Sequence, residues 1–115
     1  MSDVIDAFQS ERERLNEIVM NYAGLEIKRF YSIDAQCYRD GALSARTKEL
    51  LGLAASLVLR CDDCVKYHII RCFEAGYTDD EIQEALNVAL VVGGSIVIPH
   101  LRRAFEAWDE LRKSR

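Results

Sequence analysis

Residues 46 to 59 read "RTKELLGLAASLVL", and beyond Glu49 the run is apolar on nearly every side of a helix. A helix that is hydrophobic all round has no solvent face, so this segment is predicted to be the central buried helix of a helical domain. Its one conspicuous charge is Glu49. A carboxylate left unpaired in such a helix is costly, so Glu49 is expected to have a partner on a neighbouring element.

The flanking sequence extends the helical reading. Val4, Ile5, Phe8, Leu15, Ile18, Val19 and Tyr22 recur at helical spacing, which predicts an amphipathic helix over about the first twenty residues, ended near Gly24. Residues 25 to 38 are helical in pattern but less regular, and "RDG" at 39 to 41 marks a stop and a loop. Ser44 is placed to cap the central helix. The next helix begins around Cys61 and runs to Ala75, with Gly76 as a left-handed cap. "TDDE" at 78 to 81 is a capping box that opens a helix through about Val92. Gly93 and Gly94 break it, and Pro99 either starts or kinks a last helix with Leu101, Phe105, Trp108 and Leu111 at helical spacing. Alternating strand patterns, internal repeats and low-complexity linkers are absent from the sequence. The expectation is an all-α, single-domain helical bundle over residues 1–115, with N-terminal helices in 1–40 and a motif-bearing core in 41–112.

Composition sets limits on partners. Half of the 115 residues are apolar, enough for a core that needs no disulfide or metal to fold. Nineteen acidic against fifteen basic residues give a net charge of −4 with no basic run, which disfavours nucleic acid. The N-terminus is charged from its third residue and nothing approaches the roughly 18 apolar residues of a membrane span, so a cytoplasmic protein without a membrane partner is expected. There, a close cysteine pair points to redox or metal chemistry before a permanent staple.

Such a pair stands in "RCDDCVKYH" at 60 to 68. On a helix, Cys61, Cys64, His68 and Cys72 would share one stripe. With Cys61 at the helix start, unpaired backbone N–H groups and the helix dipole favour thiolate, whereas Asp62 and Asp63 oppose it. His68 is a candidate base, and Glu49 could orient it if the two helices form a hairpin.

The pattern Glu49, eleven residues, Cys61, two residues, Cys64, three residues, His68, followed by "AGYTDDEIQEAL", resembles the carboxymuconolactone decarboxylase superfamily, and within it the alkylhydroperoxidase D-like branch. The resemblance spans roughly residues 40 to 110. It implies an all-α fold with the Cys-x-x-Cys on a central helical hairpin, assembly as a trimer or hexamer, and thiol-dependent peroxidase activity. By the same resemblance, Cys64 attacks the peroxide and becomes a sulfenic acid, Cys61 donates a proton and then closes a Cys61–Cys64 disulfide, and Glu49 and His68 form the proton relay. The expected substrate is a small-molecule hydroperoxide, or a disulfide exchanged with a dithiol such as a lipoyl group, which is also the candidate reductant, with no cofactor and no metal. The family's prototypes carry histidine just before the second cysteine, where this chain has Asp63.

Other readings stand beside this one. Cys61, Cys64, His68 and Cys72 could be zinc ligands in an oligomeric module, although a single helix presents a row rather than a tetrahedron. Glu49 and His68 could instead act as acid and base in a decarboxylase or isomerase. Cys61 and Cys64 could also be small apolar fillers. Cys37 and Cys72 are expected to be buried small residues without a role, His100 structural or exposed, and Phe105 and Trp108 part of the core or a subunit interface. "GGSIVIPH" at 93 to 100 lacks the Lys-Ser/Thr and preceding strand of a phosphate loop and is expected to break a helix. The apolarity of residues 50 to 59 and of "SIVI" exceeds what a small monomer buries, so a homo-oligomer is expected.

Overall fold

The helix-capping signals in the sequence organise the chain. In the computed structural model, which describes residues 3–114, Ser44 caps α3 (Ala45–Val58), its hydroxyl accepting a hydrogen bond from the Thr47 amide at 3.1 Å. Thr78 and Glu81 close a reciprocal capping box at the start of α5 (Asp79–Gly93). The remaining helices are α1 (Asp3–Tyr22), α2 (Leu25–Cys37), α4 (Asp62–Glu74) and α6 (Ile98–Ser114), the last preceded by a 3-10 turn at Ser95–Val97. No strand occurs among the described residues, and none of their helices is long and apolar enough to cross a membrane. Pro99 lies in the first turn of α6, where its missing N–H costs nothing, so it starts the helix rather than kinking it.

Two helix ends of one kind frame α4. At the end of α3, Arg60 N bonds Leu57 O and Cys61 N bonds Ser56 O, a Schellman arrangement that holds Arg60 at φ 60° and delivers Cys61 directly as the N-cap of α4. At the far end, Gly76 N bonds Phe73 O and Tyr77 N bonds Cys72 O, with Gly76 at φ 85° as its sequence position predicts. The tight α3–α4 turn makes the two helices an antiparallel hairpin. Its core seam joins Leu53 and Leu57 of α3 to Val65 and Ile69 of α4, and α5 and α6 close over it with Ile82, Leu86, Trp108 and Leu111. Each such side chain contributes about 1.5–3 kcal/mol when taken fully from water.

The expectation that α3 is buried all round is corrected. It packs against α4 and α5, which leaves a third side open: Leu51 and, just past the helix, Leu59 are exposed, as are Val88, Val91 and Val92 of α5 and Ile96. Helix α2 buries no residue at all, yet its C-terminal end is anchored, because Lys48 Nζ from α3 donates to the carbonyls of Cys37 at 2.9 Å and Arg39 at 2.7 Å. Cys37 is therefore exposed rather than buried, since it sits on a helix that contributes nothing to the core. Cys72 is buried as expected, and Trp108 belongs to the core.

Candidate functional site

The hairpin brings Glu49 and His68 together. Both are buried, at 6% and 7% exposure, and His68 Nδ1 lies 2.9 Å from Glu49 Oε1. A carboxylate only accepts, so the imidazole donates from Nδ1. The other oxygen of Glu49 faces the Arg71 guanidinium at 3.7 Å. On the far side of the ring, Tyr38 Oη stands 3.4 Å from His68 Nε2. Burial, then the nearby charges of Asp34 and Glu49, push the Tyr38 phenol above its ordinary value, so it keeps its proton and serves as donor to Nε2. Tyr38, His68 and Glu49 thus form one hydrogen-bonded line with the imidazole tautomer fixed from both ends.

The ring occupies this position because α3 offers no side chain there. A Cβ on Gly52 would stand 2.6 Å from His68 Cε1, 2.7 Å from Nε2 and 2.9 Å from Tyr38 Oη. Glycine inside an apolar helix costs about 1 kcal/mol relative to alanine, and close approach of His68 is its structural return here.

Cys61 ends the α3–α4 turn and Cys64 lies in the first turn of α4. Cys61 caps α4, its sulfur accepting from the Cys64 amide at 3.3 Å, and the two sulfurs are paired as a disulfide across Cα atoms 5.3 Å apart. Cys64 opens onto a cleft of about 1050 Å³ that Glu49, Asp63, His68, Arg71 and Tyr38 also line. The opposite wall comes from the N-terminal helices, with Phe8 and Leu15 of α1 and Phe30 and Tyr31 of α2, while Arg12 stacks over the Tyr67 ring at 4.3 Å. The cleft is amphipathic: Glu49, Asp63, His68 and Arg71 on its α3–α4 side face a wall that mixes the rings of Phe8, Phe30 and Tyr31 with Arg12 and Asp34.

Cys72 does not join this set. It is fully buried in the core, and burial, reinforced by the charge of Glu49, pushes its thiol up to about 12. The single stripe of Cys61, Cys64, His68 and Cys72 is therefore not realised, because Cys61 lies before the helix and Cys72 faces inward. Among the described residues no group of three or more His, Cys, Asp or Glu side chains is placed to hold a metal ion, so the zinc reading has no ligand set.

Three features escaped sequence reasoning. Tyr38 carried no signal, lying at a helix end without a motif. Gly52 did carry one, since an isolated glycine in an apolar helix implies close packing. The third is a cluster joining Asp62 to His100 and Arg103 at the start of α6, which no local spacing reveals.

Comparison with known proteins places the chain in context. The model of the carboxymuconolactone decarboxylase family matches residues 27–107. An uncharacterized protein encoded in the cox locus of Paracoccus denitrificans is 30% identical over 71% of this chain and 74% of its own length. Among solved structures, a Thermotoga maritima protein is 56% identical, covering 93% of this chain and 94% of that one, with a TM-score of 0.91. It is described as a carboxymuconolactone decarboxylase family protein for which a part in the antioxidative response has been suggested. A Legionella pneumophila member of the same family, in its apo form, is 27% identical over 96% of this chain and 98% of that one, with a TM-score of 0.80.

Proposed function

The chain belongs to the carboxymuconolactone decarboxylase family, and from that membership we propose that it is a thiol-dependent oxidoreductase reducing hydroperoxides through Cys64 and Cys61. The observation that carries the reading is the placement of Cys64, paired with Cys61, on the same cleft as the buried His68–Glu49 couple. The suggested antioxidative part of the Thermotoga maritima relative is in keeping with it.

In the proposed cycle the Cys64 thiolate attacks the outer peroxide oxygen, the O–O bond breaks, and the alkoxide leaves as an alcohol after taking a proton. Cys61, at the N-cap, supplies that proton and is left as a thiolate, and the His68–Glu49 relay then passes a proton from solvent to the departing hydroxide. Cys61 then attacks the sulfenic sulfur of Cys64, water departs, and the disulfide closes. A dithiol donor, of lipoyl type, returns two electrons and two protons and is itself oxidised to a disulfide. The aromatic wall of Phe8, Phe30 and Tyr31 would receive the organic part of an alkyl hydroperoxide. We further infer that the protein works as a homo-oligomer, because α2 and the outer face of α5 leave large apolar side chains in water.

Peroxide turnover coupled to dihydrolipoamide oxidation tests the cycle. Cys64→Ser should abolish it, and Cys61→Ser should leave a sulfenic acid on Cys64 that dimedone traps for mass spectrometry. Full turnover by Cys64→Ser would exclude the mechanism. A decarboxylase or isomerase using Glu49 and His68 alone would instead show lactone turnover in a double Cys→Ser variant.

A further inference from the structure

Two carboxylates, Asp62 and Asp63, stand between the cysteines, and each opposes thiolate formation on its neighbours. The fold treats them differently. Asp63 faces the cleft. Asp62, the first residue of α4, turns the other way to the start of α6, where its Oδ1 is 2.8 Å from His100 Nδ1 and its Oδ2 is 3.0 Å from Arg103 Nη1. A carboxylate only accepts, so the contact with His100 requires the proton on Nδ1. Burial works to raise the Asp62 pKa, but the bond from His100 and the charge of Arg103 outweigh it and hold the carboxyl below its ordinary value. The residue therefore carries a full negative charge that two side chains of another helix meet. Neither His100 nor Arg103 lines the cleft, so this cluster is separate from the substrate side of the site.

Stability alone is a poor account of the arrangement. Arg103 and Asp62 are both partly exposed, and ion pairs of that kind contribute little to folding. Asp62 nevertheless stands next to Cys61 and two residues before Cys64, at the helix start that carries both sulfurs, and Arg103 is bound to it there. Resting on the redox reading of Cys61 and Cys64 given above, we propose that the His100–Arg103 pair neutralises Asp62 and thereby sets the reduction potential of the Cys61–Cys64 disulfide. The three are positioning residues, acting on the sulfurs through charge and not by contact with substrate. Reduction of the pair takes two electrons and two protons from a dithiol, which closes its own disulfide in return. Whatever stabilises the thiolate stabilises the reduced form and raises the potential, so loss of the α6 cation should lower it and loss of the Asp62 charge should raise it.

The test is a double-substitution cycle on the full chain, equilibrated at pH 7 in dithiothreitol thiol/disulfide buffers, with the oxidised fraction read by mass after alkylation. Asp62→Asn should shift the equilibrium about tenfold toward the dithiol, about 30 mV upward for a two-electron couple. Arg103→Leu should shift it several-fold toward the disulfide in both the native and the Asp62→Asn background, since charges act on the sulfurs additively, and Arg103→Lys should restore it. A purely structural clamp would lower the melting temperature in each variant and leave the potentials within about twofold of one another, which overturns the proposal. An Arg103→Leu potential that is unmoved or raised overturns it too. No peroxide enters the assay, so the two readings fail separately: shifted potentials in a protein without peroxide turnover would remove the peroxidase reading alone, and unmoved potentials in an active peroxidase would remove this one alone.

Discussion

Substituting Gly52 by alanine sets two opposite effects against each other. In a helix interior, alanine is favoured over glycine by about 0.8–1.0 kcal/mol, so by propensity alone Gly52→Ala should stabilise α3. The added methyl, however, would meet the His68 ring at 2.6 and 2.7 Å and the Tyr38 hydroxyl at 2.9 Å. Overpacking of this kind costs about 1–3 kcal/mol. His68 cannot swing aside freely, because doing so breaks its 2.9 Å bond to Glu49 and leaves a buried carboxylate short of a partner, about 1–3 kcal/mol more. The clash should win, with a net loss of about 1–5 kcal/mol and a fall in Tm of several degrees or more. On the proposed cycle, turnover should drop by about 10- to 100-fold, since the His68 relay and its tautomer are displaced together, while the Cys61–Cys64 pair stays reducible. Gly41→Ala is the control: its Cβ would meet only the Lys48 Nζ at 3.7 Å, an ordinary contact, and should change stability by less than about 0.5 kcal/mol. Calorimetry and the coupled peroxide assay decide the matter. A Gly52→Ala protein that melts higher and turns over unchanged would refute the packing of His68 on α3.

Thiol labelling and assembly supply two further checks. After reduction, iodoacetamide at pH 8 should modify the exposed Cys37 in the native protein but not Cys72, whose thiol burial pushes up to about 12; labelling of Cys72 at a comparable rate before unfolding would contradict its burial. Sedimentation at micromolar concentration should give an oligomer covering Phe30 and Ile33 of α2 and Val91 and Val92 of α5, and a clean monomer mass would overturn the assembly proposal.

The fold was legible because its signals are local. Ser44, the Thr78–Glu81 box and Gly76 each specify a helix end through contacts within four residues, and each end forms where the sequence places it. The burial of α3 was overestimated for an equally physical reason. Apolarity on every side of a helix does not say what each side packs against, and in the single chain Leu51 and Leu59 are exposed. Cys37 was misplaced because cysteine is usually buried, a tendency that fails on α2, which is held by Lys48 at its end and not by a buried face.

The partnership of Glu49 with His68 could be anticipated because a carboxylate in an apolar helix has few means of being satisfied, and a histidine on the adjoining helix is one of them. Tyr38 and His100 had no such constraint. Each lies near a helix end, where water or many side chains would serve as partners, so their sequence neighbourhoods specify none. Asp62 and Asp63 make the point most sharply: adjacent, identical in chemistry and equally placed between the cysteines, they are indistinguishable in the sequence. Only the approach of α6 separates them, giving Asp62 two hydrogen-bonding partners, one of them the Arg103 guanidinium, and leaving Asp63 to the cleft. The sequence argument that both aspartates oppose the thiolate therefore holds in full for Asp63 alone. For Asp62 the opposing charge is met by Arg103, 41 residues later in the chain, and on the proposal above the reactivity of this Cys-x-x-Cys is a tertiary property even though the motif itself is local.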